Sequence, residues 1–232
     1  MLTVDQLELR QENFRLSASF SLAAGGITAL IGPSGAGKSS LLNVIGGFYT
    51  PASGRVLWDG TDITDLRPGA RPCTSLFQDN NLFPHLTIAA NVGLALSPDL
   101  RLSAAQEAQV TASLAQVGLA DMGTRKPATL SGGQQARAAL ARALLQDRPL
   151  VLLDEPFSAL GPALKLEMLD LVQDTFAGAG RTVLMVTHDP QDALRIADEI
   201  IFVADGSVTG PHPVRSFMEN PPPALRAYLG AS

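Results

Sequence analysis

The nine residues Gly32-Pro33-Ser34-Gly35-Ala36-Gly37-Lys38-Ser39-Ser40 decide how the rest of the chain is read. They satisfy the spacing G-x-x-x-x-G-K-[ST], a pattern that carries meaning only between a strand and a helix. Both neighbours are present. Ile27 to Ile31 is a short, continuous apolar run of the kind a buried strand shows, and Leu41, Leu42 and Ile45 follow the lysine at helical spacing. In such a loop the glycines let backbone N–H groups close round phosphate oxygens, and the helix start adds a positive dipole. Lys38 then neutralises the β and γ phosphates and Ser39 offers its hydroxyl to Mg²⁺. The plain alternative is a glycine-rich turn with a solvated lysine.

On the N-terminal side, Phe14, Leu16, Ala18, Phe20 and Leu22 alternate at period two, predicting a half-buried strand that Gly25 and Gly26 end. On the C-terminal side, Arg55 to Trp58 run into Asp59-Gly60 as a strand entering a tight turn, and Thr74 to Phe77 form a short strand ending at Gln78. From about residue 80 to 145 strand signals disappear; Ser103 and Gln106 form a capping pattern, followed by Val110, Leu114 and Val117 at helical spacing. Strands return at Leu150 to Leu153 and Thr182 to Val186, separated by a helix with Leu164, Met168, Leu171, Val172 and Phe176 on one face. Ile200 to Ala204, Asp205-Gly206 and Ser207 to Thr209 read as a hairpin. This alternation predicts an α/β fold whose mainly parallel sheet is covered by helices. The organisation expected is one domain over 1–232, with 1–79 and 146–232 forming the core and an antiparallel β subdomain, and about 80–145 an inserted α-helical subdomain.

Two further stretches carry chemistry. Leu150-Val151-Leu152-Leu153-Asp154-Glu155 is an apolar strand ending in two carboxylates whose side chains diverge. Asp154 can reach the Mg²⁺ shell, and Glu155 can face the γ-phosphate, shielded by the buried strand and placed to act as general base on the attacking water. Leu130-Ser131-Gly132-Gly133-Gln134 opens a helix that continues through Ala139, Leu140, Ala143 and Leu144. Ser131 and Gln134 make a capping box that needs no ligand. Yet two glycines in a first helical turn cost roughly 1 kcal/mol each against alanine, and their use is to expose N–H groups to an anion.

Composition bounds the rest. With 232 residues, 46% hydrophobic and 17% charged, the chain can bury a core and is far from the signature of disorder. A net charge of −5 supplies no basic stripe for nucleic acid and no polybasic membrane patch. No apolar run approaches the length of a membrane span. Asp5 and Glu8 stand where a secretory signal would be apolar, so export is not expected, and the single Cys73 fits a reducing compartment.

Taken together, Gly32 to Ser40, Gln78, LSGGQ at 130 to 134, LLDEP at 152 to 156 and His188 resemble, in order and spacing, the ATP-binding-cassette ATPases, over nearly the whole chain. SLFQDNNLFPHLT (75 to 87) and LLDEPFSALGPAL (152 to 164) look closest to the ATPase subunits of thiamine importers. The resemblance implies a RecA-like phosphate-loop NTPase core that hydrolyses ATP with Mg²⁺ to drive import of thiamine or another small solute such as ferric ion or polyamine; the alternative outside transport, a cassette ATPase of DNA repair or translation, would usually carry coiled-coil or duplicated-cassette insertions that this sequence lacks. It implies that two copies associate head to tail, each ATP lying between the loop Gly32, Pro33, Ser34, Gly35, Ala36, Gly37, Lys38, Ser39 and Ser40 of one copy and Ser131, Gly132, Gly133 and Gln134 of the other. It further implies that Gln78 touches Mg²⁺ or the attacking water, alongside the metal ligands Ser39 and Asp154, and connects the site to the membrane-spanning permease. His188 would contact the γ-phosphate, although without the other motifs it reads as a capping or core histidine. Phe14 would stack on adenine, although its place in the strand alternation also suits a sheet-face role. A solute-binding protein would act indirectly, nucleic acid is not an expected partner, and the location implied is peripheral, on the cytoplasmic face of the inner membrane.

The chain departs from the family pattern at Gly161, where aspartate is usual, and at Ser40, where threonine is commoner. Only about 20 residues follow the last hairpin, so control by a long C-terminal regulatory domain is not expected.

Overall fold

The structure, a computed structural model, describes residues 1–11, 14–223, 225 and 226. Its strands are β1 (Leu2–Gln11), β2 (Phe14–Leu22), β3 (Ile27–Ile31), β4 (Ser53–Trp58), β5 (Thr61–Asp62), β6 (Cys73–Leu76), β7 (Leu150–Asp154), β8 (Thr182–Val186), β9 (Glu199–Ala204) and β10 (Ser207–Pro213). Its α-helices are α1 (Lys38–Gly46), α2 (Ile88–Gly93), α3 (Ala104–Gln116), α4 (Gly132–Leu145), α5 (Pro162–Val172), α6 (Pro190–Ile196) and α7 (Val214–Glu219).

Among the described residues the strands form one sheet, in the order β5-β4-β1-β2-β10-β9-β3-β8-β7-β6. From β9 to β6 every pairing is parallel, and from β5 to β2 every pairing is antiparallel. The two regions meet where β10, paired back onto β9, touches β2 at Ser207 and Ser17. The antiparallel strands therefore extend the core sheet at its margin and do not make a second sheet.

The apolar reading of β3 follows from burial on both faces of the sheet. Ile27, Ala29 and Ile31 face a cluster with Leu140, Met168 and Phe176, while Leu30 faces Leu41, Leu152 and Leu184 on the other side. Beyond Val172 the chain continues as a π-helical turn, Gln173–Ala177, which carries Phe176 into the first cluster.

Residues 80–145 contribute α2, α3 and α4 and no strand. They share a third apolar cluster, with Ile88, Val92, Val110 and Leu114. Helix α4 belongs to two cores: Ala138 and Ala141 pack in that third cluster, whereas Ala136, Ala139, Leu140 and Ala143 pack under the sheet. Among the described residues no helix is long and apolar enough to cross a membrane.

Candidate active site

The loop between β3 and α1 emerges at the carboxyl ends of the parallel strands. Gly37 sits at φ 96°, a conformation that side chains disfavour, and serves as N-cap of α1 without a side-chain bond. A Cβ on Gly37 would lie 2.2 Å from Cζ of Phe14, so the Phe14 ring rests directly on the loop. Phe14 occupies the open end of the inward face of β2; Leu16, Ala18, Phe20 and Leu22 behind it are buried and it is half-buried. Phe14 is thus a sheet-face residue that also reaches the phosphate loop. The ring, the loop and Glu155 line a cleft of about 410 Å³.

Lys38 is 6% exposed, and its ammonium donates to the carbonyls of Gly32 at 2.8 Å and Pro33 at 2.9 Å. Burial holds it below the ordinary lysine range, opposed by the charges of Glu155 and Asp154. Its side chain is thus tied back within its own loop, in the field of two carboxylates.

The carboxylates lie on the second strand over. Ser39 donates to Asp154 Oδ1 at 2.8 Å. Burial raises the Asp154 carboxyl above its ordinary value, with Glu155 adding to the rise and the Ser39 bond and Lys38 opposing it. Glu155 leaves the strand at φ 44°, its N–H donating to the Val186 carbonyl at 3.1 Å and its own carbonyl accepting from Ser158 Oγ at 3.1 Å. A left-handed residue other than glycine costs on the order of 1–3 kcal/mol, and here it is braced on both sides. The twist separates the two acids: Asp154 turns to Ser39 while Glu155 Oε2 lies 2.8 Å from Nδ1 of His188. The Glu155 side chain is 24% exposed, so the strand shields it only partly from water. His188 itself is open to solvent, on the loop leaving β8, and is no core histidine.

Gln78 is exposed two residues beyond β6, whose Leu76 pairs with Leu153, and so stands beside the strand end that carries Asp154. The turn 131–134 is elsewhere: none of its described residues lines the phosphate-loop cleft. There the capping box is formed, Gln134 N–H donating to Ser131 Oγ at 3.3 Å and Ser131 N–H to Gln134 Oε1 at 3.0 Å. The two glycines differ. A Cβ on Gly133 would lie 2.2 Å from Leu164 Cδ2, so Leu164 of α5 would have to move, whereas the nearest atom to a Cβ on Gly132 is 3.7 Å away. Packing thus favours glycine at 133 and does not at 132.

Gly161 is the N-cap of α5 at φ −65°, a conformation any residue adopts, and nothing lies within 4 Å of the Cβ it lacks. Its local effect is an uncapped helix, not unusual backbone freedom. One turn on, Lys165 binds Asp189, the neighbour of His188, and reaches Asp192 Oδ1 at 2.7 Å. Asp192 in turn accepts from Thr187 Oγ1 at 2.7 Å. This clasp between α5 and the His188 loop was not legible in sequence, since a lysine on a helix carries no signal of what lies across from it.

A phosphate loop behind one buried parallel strand, with an acid pair closing the second strand along, defines the class of phosphate-loop nucleoside triphosphatases. Within that class, the ABC transporter family model matches residues 16–158, and the chain belongs to this family. It is similar to the thiamine import ATP-binding protein ThiQ of Cereibacter sphaeroides, 58% identical over 99% of this chain and 100% of that protein. It is also similar to ThiQ of a Ruegeria species, 54% identical over 100% of both chains. Among solved structures it resembles the dimeric post-hydrolysis state of the ATP-binding cassette MJ0796 bound to ADP and Pi, with TM-score 0.80, 30% identity, and 93% of this chain and 99% of that one covered.

Proposed function

We propose that the chain is the ATP-hydrolysing subunit of a thiamine importer, working as a pair of copies against permease subunits on the cytoplasmic face of the membrane. The observation that carries this reading is the division of the anion-binding parts: Lys38, Ser39 and Glu155 line one cleft, with Asp154 bonded to Ser39 and His188 to Glu155, while none of the described residues of the turn at Ser131 lines it. A second copy, turned head to tail, supplies that turn. The names of the similar transport proteins support thiamine as the solute over ferric ion or polyamine.

The residues fit Mg²⁺. Ser39 Oγ and Asp154 Oδ1 are 2.8 Å apart, and no cluster of three or more His, Cys, Asp or Glu capable of caging a metal occurs among the described residues. A partial oxygen shell of this kind suits a cation that keeps waters and substrate phosphates in its coordination sphere. When bound, the ion neutralises charge on the β and γ phosphates. Gln78 would approach the same shell from β6.

In this reading Lys38 turns from its two carbonyls to the phosphates, and Phe14 stacks on the adenine. Glu155 orients a water for in-line attack on the γ-phosphorus and takes its proton as the bond to the β-phosphate oxygen breaks. His188, 2.8 Å from Glu155, holds that carboxylate and faces the γ-phosphate. Exposed Phe48 and its neighbour Tyr49, with Phe48 packed edge-on against Phe77 beside Gln78, offer an apolar margin suited to a permease helix. Reconstitution with the permease and solute-binding protein tests the solute: thiamine should stimulate ATP turnover, and stimulation by ferric ion or polyamine alone would overturn the choice.

A further inference from the structure

We propose that Arg142 is a positioning residue that ties the loop following Gln78 to α4, so that a displacement of Gln78 at the nucleotide is passed to the turn at Ser131–Gly133. The proposal rests on the roles proposed above for Gln78 and that turn.

Arg142 lies in the last turn of α4, at the end opposite the turn in question. Its Nη1 donates to the carbonyl of Asn81 at 2.8 Å and its Nη2 to that of Asn80 at 3.0 Å. One planar fork thus grips two successive carbonyls, a geometry that lysine cannot reproduce. Those carbonyls face the helix because Asn80 and Asn81 both adopt left-handed conformations, at φ 57° and 47°, two to three residues beyond Gln78. The loop is closed on itself by Asn80 N–H to Phe77 O at 3.0 Å and Asn81 N–H to Asp79 O at 2.7 Å. Asn80 Oδ1 is buried with no hydrogen-bond partner among the described residues, a second sign that this loop is held in an unfavourable shape.

The electrostatics point the same way. Burial lowers the Arg142 guanidinium from its ordinary value, and among the described residues no carboxylate counters it. A desolvated charge held by carbonyl dipoles depends on the backbone shape of the loop that presents them. When the loop relaxes, the carbonyls rotate and the guanidinium is left buried and unpaired, which favours two discrete arrangements over gradual yielding. Other side-chain ties of α4 lead elsewhere: Arg137 bonds Glu167 of α5 at 2.9 Å and the Val117 carbonyl at 3.0 Å, and Gln135 bonds the carbonyls of Pro127 and Leu130.

The test compares wild type, Arg142→Lys, Arg142→Met and Glu167→Gln in the full chain, measuring ATP affinity, kcat, KM, and hydrogen exchange of residues 130–137 with and without ATP and Mg²⁺. Arg142→Lys should bind ATP within about twofold of wild type, lose about tenfold in kcat with KM unchanged, and lose the ATP-dependent change in exchange at 130–137. Arg142→Met, which removes the buried charge with its bonds, should show the same split even where the lysine variant folds poorly. Glu167→Gln should match wild type. An ATP response at 130–137 preserved in both Arg142 variants would overturn the proposal, as would affinity and turnover falling together with melting temperature. Absence of that response in wild type would instead remove the reading of the turn on which the proposal stands, and the proposal with it.

Discussion

Gly132→Asp separates the two roles open to the turn at α4, because they predict opposite outcomes. The site is the first helical residue after the Ser131 cap, and its nearest neighbour to a new Cβ would be Leu160 at 3.7 Å, an ordinary contact. An acid in a first helical turn stabilises by about 0.3–1 kcal/mol, and replacing glycine in a helix adds up to about 1 kcal/mol, less at its very end. If the turn only starts a helix, the variant should melt higher, by about 2–4 °C per kcal/mol in a chain of this size, and keep its activity. If the turn meets the γ-phosphate of a second copy, a carboxylate about 4 Å from that anion opposes it by about 4 kcal/mol at an effective dielectric of 20. Even half of that, after screening, lowers turnover about 30-fold. The assay pairs thermal unfolding without nucleotide with steady-state ATP hydrolysis on one preparation. A melting temperature at or above wild type with turnover reduced at least about 30-fold is expected. Wild-type turnover at the higher melting temperature would refute the phosphate-binding role.

Gly161→Asp should cap α5 and raise stability by a few tenths of a kcal/mol in thermal unfolding, since glycine is only slightly worse than aspartate at such a position. Measured in the assembled transporter, it should also steepen the ATP dependence and lower solute-independent turnover. Phe14→Ala should raise KM for ATP about three- to tenfold, the equivalent of about 0.5–1.5 kcal/mol of stacking, with kcat little changed in steady-state kinetics. Lys165→Met should destabilise the fold in a pH-dependent way. Burial acts against both charges of the clasp, yet hydrogen bonds to Asp189 and Asp192 raise Lys165 and the bonds from Lys165 and the Gln191 N–H lower Asp189. The wild-type advantage, followed as the difference in melting temperature, should therefore be full at neutral pH. It should shrink as pH falls through the lowered Asp189 value or rises through the raised Lys165 value.

The parallel core was legible because β3, β7 and β8 are buried on both faces and are apolar except for Thr28, Thr182 and the terminal Asp154. Strand β1 was not, although Leu2, Val4, Leu7 and Leu9 are all buried. Gln6, at φ 45°, breaks the register between Val4 and Leu7, so the period of two slips and the alternation disappears from the sequence. At the site, Lys38, Asp154 and Glu155 were legible because their motifs are local, each a strand end or the turn leaving it. Lys165 and Arg142 were not, since their partners lie 24 and about 60 residues away and only the fold brings them together. Gly133 shows the converse: its sequence reading as an anion-binding glycine omitted Leu164, which reaches it from a helix about 30 residues further on.

In the function proposed above, one chain holds an incomplete site that a second copy completes around ATP. Glu155→Gln keeps the shape of the acid and removes its basicity, so nucleotide should bind and persist. Light scattering coupled to size exclusion should then show this variant as a monomer without nucleotide and a dimer with ATP and Mg²⁺, a dimer that Gly132→Asp in the same chain abolishes. A monomer under both conditions, with the permease-bound complex also failing to close on ATP, would contradict the claim.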